Sequence, residues 1–143
     1  MTQEAAWIEE MEAIAVRHNG LLRPADIVAF AKNKHTALHK KFTWDDSEAA
    51  YQYRLWQARE LIAVAVVELP QTGKTYRAFV SMPDDRGEEG GGYRTLVSIM
   101  SDKEQRARLL AHALAEFDRW KDKYESLNEL ADVFEARKRV RRQ

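Results

Sequence analysis

The side chains most able to do chemistry are concentrated in one stretch, residues 35–59, which reads HTALHKKFTWDDSEAAYQYRLWQAR. His35 and His39 are four residues apart, so on a helix both rings would face one way, and a following aspartate could complete a two-histidine, one-carboxylate metal shell. However, the segment lacks a sustained helical period, and Thr36 stands where the HExxH pattern requires glutamate. The pattern therefore favours exposed polar histidines, and we assign no metal ligand.

The acidic pair Asp45 and Asp46 could hold magnesium or act as general acid and base. Adjacent residues at a helix start point in different directions, however, and capping explains acidic residues there without catalysis. Asp45 has Glu48 three positions on, as in a capping box, and Trp44 just before it, where a hydrophobic residue staples the helix start. We therefore expect a helix from Asp45 to about Ala63 and assign no catalytic residue.

Recognisable reaction chemistry is missing from the remaining sequence as well. No combination of serine, histidine and acid stands out, and the chain has no cysteine, which removes thiol catalysis, thiolate metal sites and disulfides together. The sequence thus favours a protein that is not an enzyme and uses no cofactor. A metal-dependent nuclease built on His35, His39, Asp45 or Asp46 is the weaker alternative.

Positive charge is concentrated locally in a chain whose formal net charge is +0. Lysines between residues 32 and 41 could neutralise phosphates, and the histidines among them could hydrogen-bond or stack. Arginines interleaved with aromatic residues on the next helix could stack on bases. The candidate nucleic-acid-binding residues are Lys32, Lys34, His35, His39, Lys40, Lys41, Arg54 and Arg59. The structural alternative is that the aromatic residues belong to the core and the arginines pair with nearby glutamates.

Composition indicates one folded domain covering residues 1–143. Hydrophobic residues make up 45% and charged residues 32% of the chain, which is ordinary for a globular protein. The glutamate-rich start differs from a signal peptide, and no run approaches the ~18 apolar residues that cross a bilayer. We therefore expect a cytoplasmic protein without a membrane partner, and the absence of cysteine suits a reducing compartment.

The apolar pattern predicts an α+β fold with N-terminal helices, a small three-stranded antiparallel sheet and a long or paired C-terminal helix. Residues 1–63 are expected to be helical. The first helix should cover 3–18 and end at Asn19-Gly20, and Pro24 should open a second, shorter helix ending near Asn33. Residues 34–43 are expected to be a loop with an embedded turn.

The sheet is expected within residues 62–99. The apolar, β-branched run at 62–69 predicts a buried strand, and the alternating runs at 75–82 and 93–99 predict half-buried strands. A turn at 71–74 and a charged, glycine-rich loop at 83–92 should join these strands in antiparallel order.

The C-terminal region, residues 101–140, carries an apolar stripe at alternating spacings of three and four, and Ser101 with Glu104 predicts a capping box at its start. A straight helix from 102 to 140 would be about 58 Å long, roughly twice the ~30 Å diameter of a small domain, so its far end would need a partner chain. A break near Ser126, where Glu129 completes another capping-box pattern, would instead let two helices fold back as a hairpin. We favour the break and expect a homodimer in either case. The expected self-association residues are Leu110, Phe117, Trp120, Tyr124, Leu127 and Phe134.

Three motifs in the front part of the chain have the form G-x-L-x-P-x-x-V/I, L-H-x-x-F-x-W-D-D and Y-R-x-x-Q-A-R. They comprise Gly20, Leu22, Pro24, Ile27 and Val28, then Leu38, His39, Phe42, Trp44, Asp45 and Asp46, then Tyr53, Arg54, Gln57, Ala58 and Arg59. In these motifs the chain resembles an uncharacterised family encoded in bacteriophages and prophages. The resemblance implies a mobile-element context and brings no activity or catalytic residue with it.

Together these features predict a non-enzymatic phage or prophage accessory protein whose basic, aromatic segment contacts DNA or RNA. The rival prediction is a protein-binding adaptor or structural phage component. Such a protein would hold a phage or host protein through its aromatic residues and self-associate through its C-terminal helix.

Overall fold

The computed structural model describes residues 3–44, 47–87 and 91–141. The chain divides into two compact units, Met1–Ser98 and Ile99–Gln143. Helices dominate the described ranges and two small antiparallel strand pairs accompany them, so the chain is mixed α+β and mostly helical. The grouping of all 143 residues into one domain stays a prediction.

Three helices make up most of the first unit. They are α1 (Gln3–Arg17), α2 (Pro24–Ala31) and α3 (Glu48–Val64). The expected stop after α1 is confirmed, because Asn19 (φ 58°) and Gly20 (φ 88°) adopt left-handed backbone and the Gly20 N–H donates to the Ala15 carbonyl at 2.7 Å. Pro24 opens α2 as expected.

The start of α3 differs from the expected capping box at Asp45. Helix α3 begins at Glu48, and Ser47 caps it by accepting a hydrogen bond from the Ala50 N–H at 3.1 Å. Asp45 and Asp46 lie outside the described residues. Three cap-forming residues stand in a row here, and the sequence alone does not show which of them borders the helix.

The core of the first unit lies between these helices and receives residues from the strands. Its buried members are Trp7, Met11, Ile14, Ala15, Leu22, Ile27, Val28, Ala31, Leu38, Phe42, Ala58, Ile62, Ala65, Ala78 and Phe79. Most of them recur at helical spacing along α1, α2 and α3, which is why the apolar pattern predicted these helices.

The strands form two separate antiparallel pairs. Strand β1 (Val66–Leu69) pairs with β2 (Lys74–Arg77), with Val66 opposite Arg77, and β3 (Phe79–Val80) pairs with β4 (Arg94–Thr95). The turn between β1 and β2 closes with Gly73 at φ +68°, where its N–H donates to the Leu69 carbonyl at 2.9 Å.

The three-stranded sheet is not confirmed, because the chain changes partners at Ala78. The Ala78 N–H donates to the Ala65 carbonyl and the Ala78 carbonyl accepts from the Leu96 N–H, both at 2.8 Å. The expected strand at 75–82 is therefore divided into β2, which pairs on one side, and β3, which pairs on the other.

Two strands are shorter than the sequence pattern predicts. The buried strand at 62–69 is wrong in extent and burial, because α3 continues to Val64 and the short β1 is half exposed. The strand at 93–99 ends at Thr95, where helix α4 (Leu96–Ser101) begins. Thr95 caps this helix, since its hydroxyl accepts from the Ser98 N–H at 3.1 Å and its carbonyl accepts from the Ser98 hydroxyl at 2.9 Å.

An ion pair between Asp85 and Arg94 closes the loop between β3 and β4 where the chain enters β4. Asp85 is buried, and both of its carboxylate oxygens accept hydrogen bonds from the Arg94 guanidinium, at 2.8 and 2.9 Å. Beyond it, Leu22 and Tyr93 exchange two backbone hydrogen bonds of 2.6 and 2.8 Å. This loop is thereby tied to the segment that leads into α2.

The second unit is a helical hairpin formed by α5 (Lys103–Tyr124) and α6 (Ala131–Lys138). Asp102 caps α5 by accepting from the Gln105 N–H at 3.0 Å, so the capping box expected at Ser101 is wrong and Ser101 instead ends α4. The break expected near Ser126 is confirmed. The capping box expected at Ser126 is not seen, because a 3-10 turn at Asn128–Leu130, which follows Leu127, leads into α6.

Contacts across the hairpin explain why the helix folds back. Arg137 donates two hydrogen bonds of 2.9 Å to the Asp118 carboxylate. Phe134 is buried, with its ring edge-on to Phe117 at 6.3 Å and to Trp120 at 6.1 Å between centroids. The chain itself thus supplies partners for part of the apolar stripe.

Candidate nucleic-acid interface

The basic segment between α2 and α3 is held against α1 by one carboxylate. Glu10 lies three residues after Trp7 and four before Ile14, on the apolar side of α1. Its two carboxylate oxygens accept hydrogen bonds from the Ala37 and Leu38 N–H groups at 2.9 and 2.8 Å. These amides open a 3-10 turn, Leu38–Lys41, and would otherwise lack an intrahelical partner.

Local side-chain bonds fix the approach to this turn. The Asn33 side-chain oxygen accepts from the His35 N–H at 2.9 Å. The Thr36 hydroxyl donates to the Asn33 carbonyl at 2.8 Å and accepts from the His39 N–H at 3.2 Å. Such bonds stabilise turns in place of regular secondary structure, so the expected loop with an embedded turn is confirmed.

The turn brings four of the candidate basic residues around one surface cavity. This cavity of about 580 Å³, here called the basic groove, is lined by Ala6, Trp7, Lys34, His35, Thr36, Ala37, Lys40 and Lys41. Lys34, His35, Lys40 and Lys41 are exposed, whereas Trp7 is buried beneath the groove. The Lys41 ammonium lies 5.5 Å from the centre of the Trp7 ring, a cation–π distance.

The positive charge of the basic groove faces solvent. Among the residues that the structure describes, no carboxylate lies within ion-pair distance of Lys34, Lys40 or Lys41. Lys32 is also exposed, just after α2, and Arg59 is exposed on α3; neither lines the groove. The groove therefore concentrates cations that are accessible to an anionic ligand.

Two of the candidate residues are instead occupied in packing. The His39 ring stacks on Trp44 with centroids 4.9 Å apart, and its Nδ1 lies 2.8 Å from the Ala31 carbonyl, to which the protonated nitrogen donates. Arg54 is 7% exposed, donates to the Thr43 carbonyl at 3.3 Å and lies 5.0 Å from the Trp44 ring centre. Their geometry is that of groups joining segments of the fold.

Residues of the L-H-x-x-F-x-W-D-D and Y-R-x-x-Q-A-R motifs lie where the basic segment meets α3. Leu38 and Phe42 belong to the core, and the Trp44 indole N–H donates to the His39 carbonyl at 2.9 Å. The Gln57 side-chain oxygen accepts from the Thr43 N–H at 3.3 Å, which fastens the segment to α3. Leu38, Phe42, Trp44 and Gln57, like His39 and Arg54, therefore hold the basic segment in position and do not form its surface.

The metal site that the weaker alternative requires is not seen among the described residues. In the ranges 3–44, 47–87 and 91–141, no group of three histidine, aspartate or glutamate side chains is arranged to hold a metal ion. Asp45 and Asp46, the acidic members of the suggested shell, lie outside these ranges.

An exposed aromatic pair on α3 and a partly buried carboxyl on α1 were not predicted from the sequence. Tyr53 and Trp56 stack on the surface of α3 with ring centres 5.6 Å apart, and they are 49% and 50% exposed. On α1, burial raises the pKa of the Glu12 carboxyl above its ordinary value, and the charge of Glu9 raises it further. The residue order alone could not separate these exposed aromatic rings from core members.

The expected self-association residues have different environments in the second unit. Phe134 is buried and contacts Phe117 and Trp120 within the hairpin. Trp120, Tyr124 and Leu127 are exposed, and Leu110 lines a surface cavity. Self-association itself stays a prediction.

Comparison with protein-family models, curated proteins and solved structures found no match for this chain. Within the part of the chain that the structure describes, no helix has both the length and the apolar character needed to cross a bilayer.

Proposed function

We propose that this chain is a nucleic-acid-binding accessory protein of a phage or prophage, and that the basic groove contacts the phosphate backbone. One observation carries the proposal: a segment of eight residues, anchored by Glu10, brings three lysines and a histidine around a single cavity. The charge is local, since the formal net charge of the chain is +0.

The chemistry of the groove favours phosphates over bases. Lysine ammonium groups are point charges that neutralise phosphate without reading sequence. Trp7 is buried and Lys41 lies near its ring, so the groove offers no open aromatic face for a base. We therefore expect binding with little sequence preference and a strong dependence on salt.

A salt titration tests the proposal. Binding of labelled single- and double-stranded DNA and RNA would be measured by fluorescence anisotropy between ~50 and ~200 mM salt. The Lys40→Ala/Lys41→Ala variant should bind at least about tenfold more weakly and lower the salt slope by roughly two. The matched control, Lys74→Ala/Arg77→Ala, removes the same charge from exposed β2 and should retain wild-type binding.

Two outcomes would overturn the proposal. One is no measurable affinity for any of the nucleic acids at low salt. The other is equal loss of affinity in the groove variant and the β2 control, because that would reduce the effect to total charge. Circular dichroism of each variant shows whether its helices remain intact.

The second candidate function is that of a protein-binding adaptor, and the exposed pair Tyr53 and Trp56 favours it. Large aromatic side chains are enriched at the centre of protein interfaces because they bury much area at little entropic cost. A stoichiometric phage or host protein that co-purifies with the wild type after nuclease treatment, and is lost in Trp56→Ala, would support this function. Retention in Trp56→Ala would contradict the assigned surface.

A further inference from the structure

Two aromatic rings stack on the exposed surface of α3. Tyr53 and Trp56 are neighbours across one helical turn, with ring centres 5.6 Å apart and 19° between the ring planes. About half of each side chain is open to solvent. We propose that this pair, here called the aromatic platform, stacks on the bases of a single-stranded nucleic acid whose phosphates occupy the basic groove. The inference rests on the function proposed above and names the class of nucleic acid.

The aromatic platform lies close to the point where the basic segment joins α3. The Thr43 N–H donates to the Gln57 side-chain oxygen at 3.3 Å. Gln57 follows Tyr53 by four residues and therefore lies on the same side of the helix, while Thr43 is two residues after Lys41 of the groove. Two residues of chain span at most ~7 Å and one helical turn rises ~5.4 Å, so the groove and the platform are on the order of 20 Å apart.

This spacing suits one unpaired strand. Phosphates of a stacked strand follow each other every ~3.4 Å along its axis, so about six nucleotides reach from the basic groove to the aromatic platform. In a duplex each base face is covered by the neighbouring base pairs, and exposing one costs unstacking free energy. Unpaired bases have free faces that stack on aromatic side chains whatever the base. The platform therefore adds affinity for single strands without adding sequence preference.

Positive charge continues beyond the aromatic platform. Arg59 is exposed and follows Trp56 by three residues, which places it beside that ring on the side away from Tyr53. The platform thus lies between the lysines of the groove and the Arg59 guanidinium. Glu60 follows Trp56 by four residues, on the side nearer Tyr53. The phosphates of a bound strand should consequently pass Trp56 on the Arg59 side, where the guanidinium can neutralise one of them.

The accessible area favours a base over a protein as the occupant of the platform. An aromatic side chain presents roughly 150–250 Å², so the half-exposed Tyr53 and Trp56 together leave on the order of 150–250 Å² open. A stable protein interface buries ~800 Å² on each partner, of which the platform would supply at most about a third. A stacked base requires only the face of a ring.

The first experiment compares strands that have the same phosphates but differ in their bases. Fluorescence anisotropy would measure binding of an oligothymidylate of about 12 nucleotides, an abasic strand of equal length and a duplex of equal length. The wild type should bind the oligothymidylate more tightly than the abasic strand. Trp56→Ala should weaken oligothymidylate binding at least about fivefold and leave duplex affinity unchanged. Tyr76→Ala, which removes an exposed ring from β2, is the matched control and should bind like the wild type.

The second experiment tests whether the plane of the ring is needed. Trp56→Phe keeps a ring that can stack, so it should retain most of the affinity for oligothymidylate. Trp56→Leu keeps an apolar side chain without a ring face and should lose as much affinity as Trp56→Ala. Stacking releases no counterions, so all three variants should keep the salt slope of the wild type, whereas Lys40→Ala/Lys41→Ala lowers it.

The outcomes separate this inference from the function on which it rests. No affinity for any probe at low salt would overturn both. Salt-dependent binding that Trp56→Ala leaves unchanged, or weakens equally for the oligothymidylate and the abasic strand, would overturn the platform alone. So would full oligothymidylate affinity in Trp56→Leu. A co-purifying protein that is lost in Trp56→Ala, while oligothymidylate binding is unchanged, would assign the aromatic pair to a protein partner instead.

Discussion

Glu10 shows how much of the candidate interface depends on one side chain. The basic residues of the groove lie in a segment without regular secondary structure, which has few backbone bonds of its own. Glu10 supplies acceptors for two adjacent N–H groups, at 2.9 and 2.8 Å, across 27 and 28 residues of sequence. Its role is that of a helix cap provided by another helix, and it fixes where Lys40 and Lys41 can lie.

Glu10→Ala is therefore expected to destabilise the first unit. Two amides lose a charged acceptor, and an unsatisfied amide costs about 1–3 kcal/mol, partly relieved here where water can enter. The measurement is urea unfolding, with Glu60→Ala on the exposed face of α3 as the control for loss of one glutamate. Equal midpoints for the two variants would contradict the assigned role. Nucleic-acid affinity should fall in Glu10→Ala as well, because the lysines lose their anchorage.

Glu12 should make stability depend on pH in a definite direction. Its pKa is raised above the ordinary value of 4.5 by burial and then by Glu9, so in the window just above 4.5 the folded state binds more protons than the unfolded state. Stability contributed by the protonated form is fully present below the unfolded pKa and is lost as pH rises through the folded pKa. Ionised Glu12 thus destabilises the fold at neutral pH.

Glu12→Gln should consequently unfold at a higher urea concentration than the wild type at neutral pH. The difference should vanish near pH ~3, where the glutamate is protonated in both states. Glu60→Gln serves as the comparison for an exposed carboxyl. A difference between Glu12→Gln and wild type that is the same at both pH values would show that proton linkage is not its cause.

At the scale of the element, residue spacing predicted α1 and α2 well, because the apolar residues of each helix recur at the spacing of its buried face. Trp7, Met11 and Ile14 indicate α1, and Ile27, Val28 and Ala31 indicate α2. The ends were less predictable where several cap-forming residues adjoin, as at Ser101 and Asp102, since local sequence does not show which one borders the helix. The existence of α1, α2 and α3 therefore followed from the sequence, whereas the helix starts, and the short α4 where a strand was expected, required the structure.

The strands were harder to predict because their pairing depends on distant main-chain groups. The main chain of Ala78 hydrogen-bonds to Ala65 and to Leu96. The residue types around Ala78 do not indicate either of these partners. The candidate interface divides in the same way. The exposure of Lys34 and Lys40 followed from composition, but the contribution of Glu10 depended on a contact with residues far along the chain.

The ion pair between Asp85 and Arg94 should be a strong constraint on the loop that precedes β4. Asp85→Asn leaves the Arg94 guanidinium without its carboxylate; breaking a buried pair costs about 3–5 kcal/mol. We expect the lower end of that range, since the Arg94 side chain is 23% exposed. Thermal and urea unfolding would measure the loss of unfolding free energy, with Glu68→Gln on exposed β1 as the control. A loss below about 1 kcal/mol would refute the constraint.

At the scale of the whole molecule, the basic groove and the self-association expected through the C-terminal helices combine into a prediction about ligand length. If each self-associated pair carries two basic grooves, a long nucleic acid can engage both, and the second contact becomes intramolecular. Ala113→Glu places a charge at an exposed position between the expected self-association residues Leu110 and Phe117. It should then weaken binding to long duplexes or long single strands by about 10²-fold, while affinity for oligonucleotides that occupy one groove stays unchanged.

The measurement is an anisotropy series over nucleic acids of increasing length with wild type, Ala113→Glu and, as the matched control, Ala136→Glu at an exposed position on α6. An equal loss at every length would indicate that Ala113→Glu harms the groove directly. An unchanged length dependence in a variant proven monomeric would show that paired grooves do not cooperate.

The β1–β2 hairpin also gives the chain a convenient attachment point for spectroscopic labels. Its β2 strand and its turn, residues 70–73, are exposed, and the turn lies apart from the residues that line the basic groove. Exposed turn tips tolerate substitution well. Because the chain has no native cysteine, Gln71→Cys would provide a single thiol for a dye, through which binding and self-association can be followed in the otherwise unaltered protein.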